Sequence, residues 1–180
     1  MRIFDFRLTA FLTLACAASW TTACKPRKSV RVELTDESAA SLSASVHAAD
    51  PQTAAQLVRG FYDIEQNSWR WTRREFAVVL QTPASSASKG ATLTLKFAIP
   101  EAEFEKLGPI TLSASVGGKP LSPETFAAPG THTYSKPVPP AALSAAVVEV
   151  DVSLDKCLPP GAVDGRELGL IFSSIALESR

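Results

Sequence analysis

The chain has 180 residues, 46% hydrophobic and 20% charged, and its 18 Lys and Arg balance 18 Asp and Glu to a formal net charge of zero. That balance excludes a nucleic-acid binder that works by neutralising phosphates. A soluble region of this size buries about two thirds of its unfolded surface, so a single core needs neither metal nor disulfide to hold it.

The first seven residues carry Arg2 and Arg7, and Leu8 to Trp20 then runs without a charge. This is the layout of an export signal. The apolar run is shorter than the roughly 20 residues of a spanning helix, so residues 1–23 are expected to be cleaved rather than kept as an anchor. Thr21-Thr22-Ala23-Cys24 resembles a bacterial lipobox, with Thr21 where Leu is usual. Acylation at Cys24 is preferred to Cys16, because use of Cys16 would truncate the apolar run and leave Trp20 just downstream. Several acyl chains would hold the protein at a membrane surface, each buried methylene contributing about 0.8 kcal/mol. Cleavage removes Arg2, Asp5 and Arg7 and takes the net charge to −1. Lys25, Arg27, Lys28 and Arg31 then crowd beside the lipid, where basic residues can engage anionic headgroups. A solvated tether is the preferred reading of that cluster.

Residues 24–50 are rich in Ser, Ala and charge without a sustained period, and are expected to form a lipid-anchored flexible linker ahead of a single domain at 51–180. His47 falls in that linker. Asp50-Pro51 offers an N-cap followed by Pro at the first helical position, and Gly60 a stop, which predicts a short helix over Pro51 to Arg59.

From Glu75 onward the period is two. Ala91, Leu93, Leu95, Phe97 and Ile99 alternate with Thr92, Thr94, Lys96 and Ala98, placing five apolar side chains on one face of a strand. Leu112, Ala114 and Val116 repeat the pattern, as do Val148, Val150, Val152 and Leu154. Gly117-Gly118 suits a two-residue hairpin. Leu168, Leu170 and Phe172 followed by Ile175 and Leu177 slip by one residue, which a bulge at Ser173-Ser174 would absorb. Pro and Gly clusters recur after each short segment, the rhythm of an all-β protein rather than of βαβ units. The expected fold is a single β-sandwich of jelly-roll type, in which each strand's oily face meets another sheet.

Gly60-Phe61-Tyr62-Asp63-Ile64-Glu65, Trp69-Arg70-Trp71-Thr72, Pro109-Ile110-Thr111-Leu112, Pro129-Gly130-Thr131-His132 and Asp164-Gly165-Arg166-Glu167-Leu168-Gly169-Leu170 occur in that order. The set resembles an uncharacterised bacterial β-sandwich domain often appended to glycosyltransferases and methyltransferases of cell-surface polysaccharide synthesis. Phe61 stands where that domain usually has Trp, and no transferase accompanies the domain here. The resemblance therefore implies an accessory role, with glycan association, and lends no catalytic residue. It also implies that Cys157, in Cys157-Leu158-Pro159-Pro160-Gly161, fills an apolar slot.

His47 and His132 are the only histidines. A lone ordered imidazole without nearby Cys or clustered carboxylates cannot fill a metal's first shell, so neither metal nor cofactor is expected. His132 is expected on a strand, facing solvent. No Gly-x-Ser-x-Gly elbow fixes a nucleophile, which leaves a small envelope hydrolase as a distant alternative. Glu65 and Glu167 could flank a glycosidic bond, but each lies near an Arg in the motifs, and ion pairing is the preferred reading. Cys157 lies between Leu154 and Leu158 and reads as a small buried hydrophobe. It would be unpaired if Cys24 is acylated, or joined to Cys24 if a peptidase cuts upstream.

Trp69 and Trp71 are two apart on a predicted strand and share a face, with Arg70 and Thr72 on the other. The size of the indoles favours the core. An outward face would instead be a ring platform for sugars, and Tyr62, Trp69, Trp71 and Arg166 are the candidate ligand-binding set. The expected function is a membrane-anchored, non-catalytic envelope accessory domain that engages glycan or an envelope protein. The alternative is a structural interaction domain without a small ligand.

Overall fold

The computed structural model describes residues 42–180. The expected export signal, Cys24 and the basic stretch at 25–31 lie outside the described residues. Among the described residues the strands are β1 (Ser45–His47), β2 (Leu57–Glu65), β3 (Trp69–Gln81), β4 (Ala91–Ile99), β5 (Ile110–Val116), β6 (Lys119–Pro120), β7 (Glu124–Phe126), β8 (Gly130–Val138), β9 (Val147–Leu154) and β10 (Ile171–Ser179). Two short helices, α1 (Ser86–Lys89) and α2 (Glu101–Leu107), flank β4.

The strands pair in the order β6-β5-β9-β3-β10-β4-β8, with β1 added to β10, β2 to β3 and β7 to β5. Every pairing is antiparallel. The sheet is curled, and β3 pairs with two different strands along its length. Its first residues pair with β10, through Trp71↔Ile171 and Arg70↔Phe172. Its second half, Glu75 to Gln81, pairs with β9. The fold is therefore all-β, a sandwich of jelly-roll type, as the alternation predicts.

The core is built from the alternating faces. Leu93, Leu95, Phe97 and Ile99 of β4, Ile110, Leu112 and Val116 of β5, and Val148, Val150, Val152 and Leu154 of β9 are buried in one cluster. The β10–β4 register shifts between Phe172 and Ser174, and Phe172, Ile175 and Leu177 all stay buried. The extra residue is what keeps both halves of β10 facing inward. Gly117 and Gly118, both at positive φ, join Val116 to Lys119 in the expected two-residue hairpin.

Three expectations fail. The helix over Pro51 to Arg59 does not form: a single 3-10 turn at Ala54–Gln56 gives way to β2 at Leu57. The buried Gln56 side chain donates to the carbonyls of Ser43 and Val79 and accepts from the Ser43 N–H, which ties the segment to its neighbours instead of extending a helix. The linker does not run to Asp50. Ser45–His47 pairs with β10 and buries Val46, because β3 covers only Ile171 and Phe172 of that edge. Gly60 is no helix stop. It lies within β2 at a φ of 77°, where a Cβ would collide with the Glu75 carbonyl and Phe76.

Candidate functional site

The alternation of side chains along β3 decides which way the aromatic residues face. Phe76, Val78 and Leu80 point into the core, and Thr72 continues that inward phase. Thr72 is fully buried and its hydroxyl accepts the Leu170 N–H at 2.9 Å. The odd positions Trp69 and Trp71 therefore point outward, and neither belongs to the core cluster. This reverses the expectation that two indoles would be core. Strand phase overrides their size, because the inward slots at this end are taken by Thr72 and by Phe61, which packs edge-on against Phe76 and Phe172. The two indoles are half-buried and meet edge to face, with centroids 6.0 Å apart.

Trp69 lies directly opposite Glu65 across the β2–β3 hairpin, so the two side chains share a face. The turn between them carries Gln66 at φ 51° and Asn67 at φ 52°. Asn tolerates the left-handed region, whereas Gln is strained there. Glu65 accepts a hydrogen bond from Arg166 at 2.7 Å, and Arg166 is also held by Asp164 through two contacts of 2.8 and 3.0 Å. These bonds, from Asp164 first and Glu65 second, keep the Arg166 guanidinium firmly charged. Hydrogen bonds from the Arg166 side chain and backbone N–H hold the Asp164 carboxyl below its usual range. Arg166 and Arg73 both lie within cation–π range of the Tyr62 ring, at 5.2 and 5.3 Å. Arg70, on the other side, donates to the carbonyls of Tyr62 and Ala48 and pins the hairpin to β1.

The structure thus brings Tyr62, Arg166 and Glu65 into contact and sets Trp69 and Trp71 beside them. Arg73 and Asp164 escaped sequence reasoning. Asp164 had a local signal, an Asp two residues ahead of an Arg, whereas Arg73 reaches Tyr62 only through the hairpin pairing. A groove of about 570 Å³ opens next to this cluster over Gly60, bounded by Arg59, Arg73, Arg74 and Glu167. A second, of about 350 Å³, shares Arg59 and Glu75 and is floored by Ser113, Ser115, Ser153 and Asp151.

Glu65 and Glu167 do not act on one groove as a pair. Glu65 is engaged by Arg166, while Glu167 accepts the Arg74 backbone N–H at 2.8 Å. His132 departs from the expected solvent-facing position. It lies half-buried against Phe97 and Phe126, with Nε2 at 2.8 Å from the Ala128 carbonyl. Its register partner is Phe97, which fixes it on the inward face. His47 is an exposed residue of β1. Among the described residues, no group of three or more His, Cys, Asp or Glu is placed to hold a metal ion. Cys157 is half-buried. Burial, reinforced by Glu167 and opposed by Arg74, raises its thiol pKa, so the thiolate is disfavoured at neutral pH.

No family model matches the chain, and no curated protein does. The expected kinship with transferase-linked domains therefore rests on the sequence motifs alone. Among solved structures the chain is similar to TmCBM27, a carbohydrate-binding module with specific mannan recognition, at 12% identity over 77% of this chain and 97% of that one, with a TM-score of 0.44. It is similar to a family 35 carbohydrate binding module from Clostridium thermocellum at 13% identity, 75% and 98% coverage and a TM-score of 0.42. It also resembles dimeric latent PorU from Porphyromonas gingivalis at 13% identity and a TM-score of 0.37, covering 59% of this chain and only 10% of that protein. At these identities and scores the likeness assigns neither a ligand nor a site residue to this chain.

Proposed function

We propose that the protein is a membrane-anchored, non-catalytic accessory domain of the bacterial envelope that binds glycan through Tyr62, Trp69, Trp71 and Arg166. The observation that carries this reading is the outward orientation of Trp69 and Trp71, edge to face, beside the Tyr62–Arg166–Glu65 cluster. Aromatic faces cover the apolar side of a pyranose, and a few fixed polar groups then bind its hydroxyls. Arg166, Arg73 and Glu65 are such groups, and Arg166 and Glu65 fix one another. Holding them in place before a ligand arrives lowers the ordering cost of binding.

Titration of cell-envelope oligosaccharides, followed by tryptophan fluorescence, is expected to give a saturable change that Tyr62→Ala abolishes with the fold intact. A millimolar dissociation constant, about −4 kcal/mol, would suffice for a surface that holds a polymer at many points. If no oligosaccharide perturbs the signal, the glycan reading falls and the interaction-domain reading replaces it.

A further inference from the structure

The outward face that carries the indoles continues across the sheet. Trp71 is opposite Ile171, Ile171 is opposite Ala98, and Ala98 is opposite Thr131. Their neighbours Phe172 and Phe97 are buried in the core, so this row faces outward on all four strands, β3, β10, β4 and β8. A second outward row lies two residues along β4 and β8, and three along β10 across its bulge, where His47, Ser174, Lys96 and Thr133 are opposite one another in turn. The first row is largely apolar and the second is wholly polar. Two residues along a strand separate the rows by about 6.7 Å. That is comparable to the width of a sugar ring.

At the far end of the apolar row, Ile171, Ala98 and Thr131 floor a groove of about 440 Å³ walled by Pro100, Pro129 and Glu101. From Trp71 to Thr131 the row spans three strand spacings, about 14 Å. Each spacing is close to the rise of one pyranose in an extended chain.

Resting on the glycan reading above, we infer that the ligand is an extended β-1,4-linked chain of at least three sugars laid across the strands from Trp71 to the Pro100–Pro129 groove. Equatorial β-1,4 linkages keep a chain straight and present an apolar ring face to the row. Its hydroxyl edges then meet Ser174, Lys96 and Thr133. An α-1,4-linked chain curls and leaves a straight row after one or two rings.

The test is calorimetric titration of the full chain with β-1,4-linked N-acetylglucosamine and glucose oligomers of one to five sugars, with α-1,4-linked glucose oligomers as the curved control. In at least one β-linked series affinity is expected to rise roughly tenfold from one sugar to three and then level, while the α-linked series shows no such rise. Thr131→Arg, at an exposed position, and Ala98→Arg are each expected to remove the gain from the third sugar and leave disaccharide binding intact. Equal affinity at all lengths, an equal rise in the α-linked series, or a length dependence untouched by both variants would overturn this inference and leave the glycan reading standing. So would envelope oligosaccharides that bind when neither β-linked series does. If no glycan of any kind binds, both fall together.

Discussion

Phe97 is 1% exposed in the inward row of β4, edge-on to Phe126 with ring centroids 5.0 Å apart. Strands on either side hold the walls of the site in place, so Phe97→Ala leaves a cavity that cannot close and is expected to cost about 3 to 5 kcal/mol. An unchanged urea midpoint would mean that this residue packs against nothing. Glu103, on α2, is the opposite case. It is 2% exposed, and both carboxylate oxygens lack a hydrogen-bond partner among the described residues. Burial pushes its pKa from the ordinary 4.5 up to about 8. The folded state therefore keeps a proton that the unfolded chain releases, so stability is full below about pH 4.5 and falls as the pH rises towards 8. The loss is on the order of 5 kcal/mol at most. Glu103→Gln is expected to flatten this dependence and to be more stable than the native protein at pH 8. Parallel stability curves for the two proteins from pH 5 to 8 would show that Glu103 is ionised in the fold.

At the scale of elements, β3 is the strand that two glycines approach most closely. Gly60 presses on it from β2 and Gly169 from the loop before β10, where a Cβ would lie 2.6 Å from the Arg73 carbonyl oxygen. The Gly169 N–H donates to the Thr72 carbonyl at 2.8 Å, which locks the second contact. Gly60→Ala combines a positive φ with a collision against backbone and is expected to cost at least about 2 kcal/mol. Gly165→Ala, where nothing lies within 4 Å, serves as the control and is expected to leave the denaturation midpoint unchanged. If both variants melt alike, the close approach at Gly60 is not what holds β2 against β3.

For the whole molecule, the decisive question is attachment. The proposed acylation at Cys24 predicts that Cys24→Ala moves the protein from the membrane fraction to the soluble one with its sandwich intact. Mass spectrometry of the native N-terminus is expected to find a lipid on that residue. An unmodified N-terminus elsewhere would remove the anchor from the proposed function and leave the glycan face to stand by itself.

Alternation alone determined the all-β class, the inward rows of β4, β5 and β9, the Gly117-Gly118 hairpin and the bulge in β10. These features follow from a period of two and from local turn chemistry, both carried by neighbouring residues. The three-residue β1 was too short to show a period, and Gln56 gave no hint that distant carbonyls would claim its amide. The facing of Trp69 and Trp71 was equally hidden. Their spacing placed them on one side of a strand, but which side depended on Thr72 bonding to Leu170, 98 residues away. The union of Arg166 with Glu65 spans 101 residues. Local periodicity says that side chains alternate; only long-range pairing fixes which alternate set meets the core and which is left to meet a ligand.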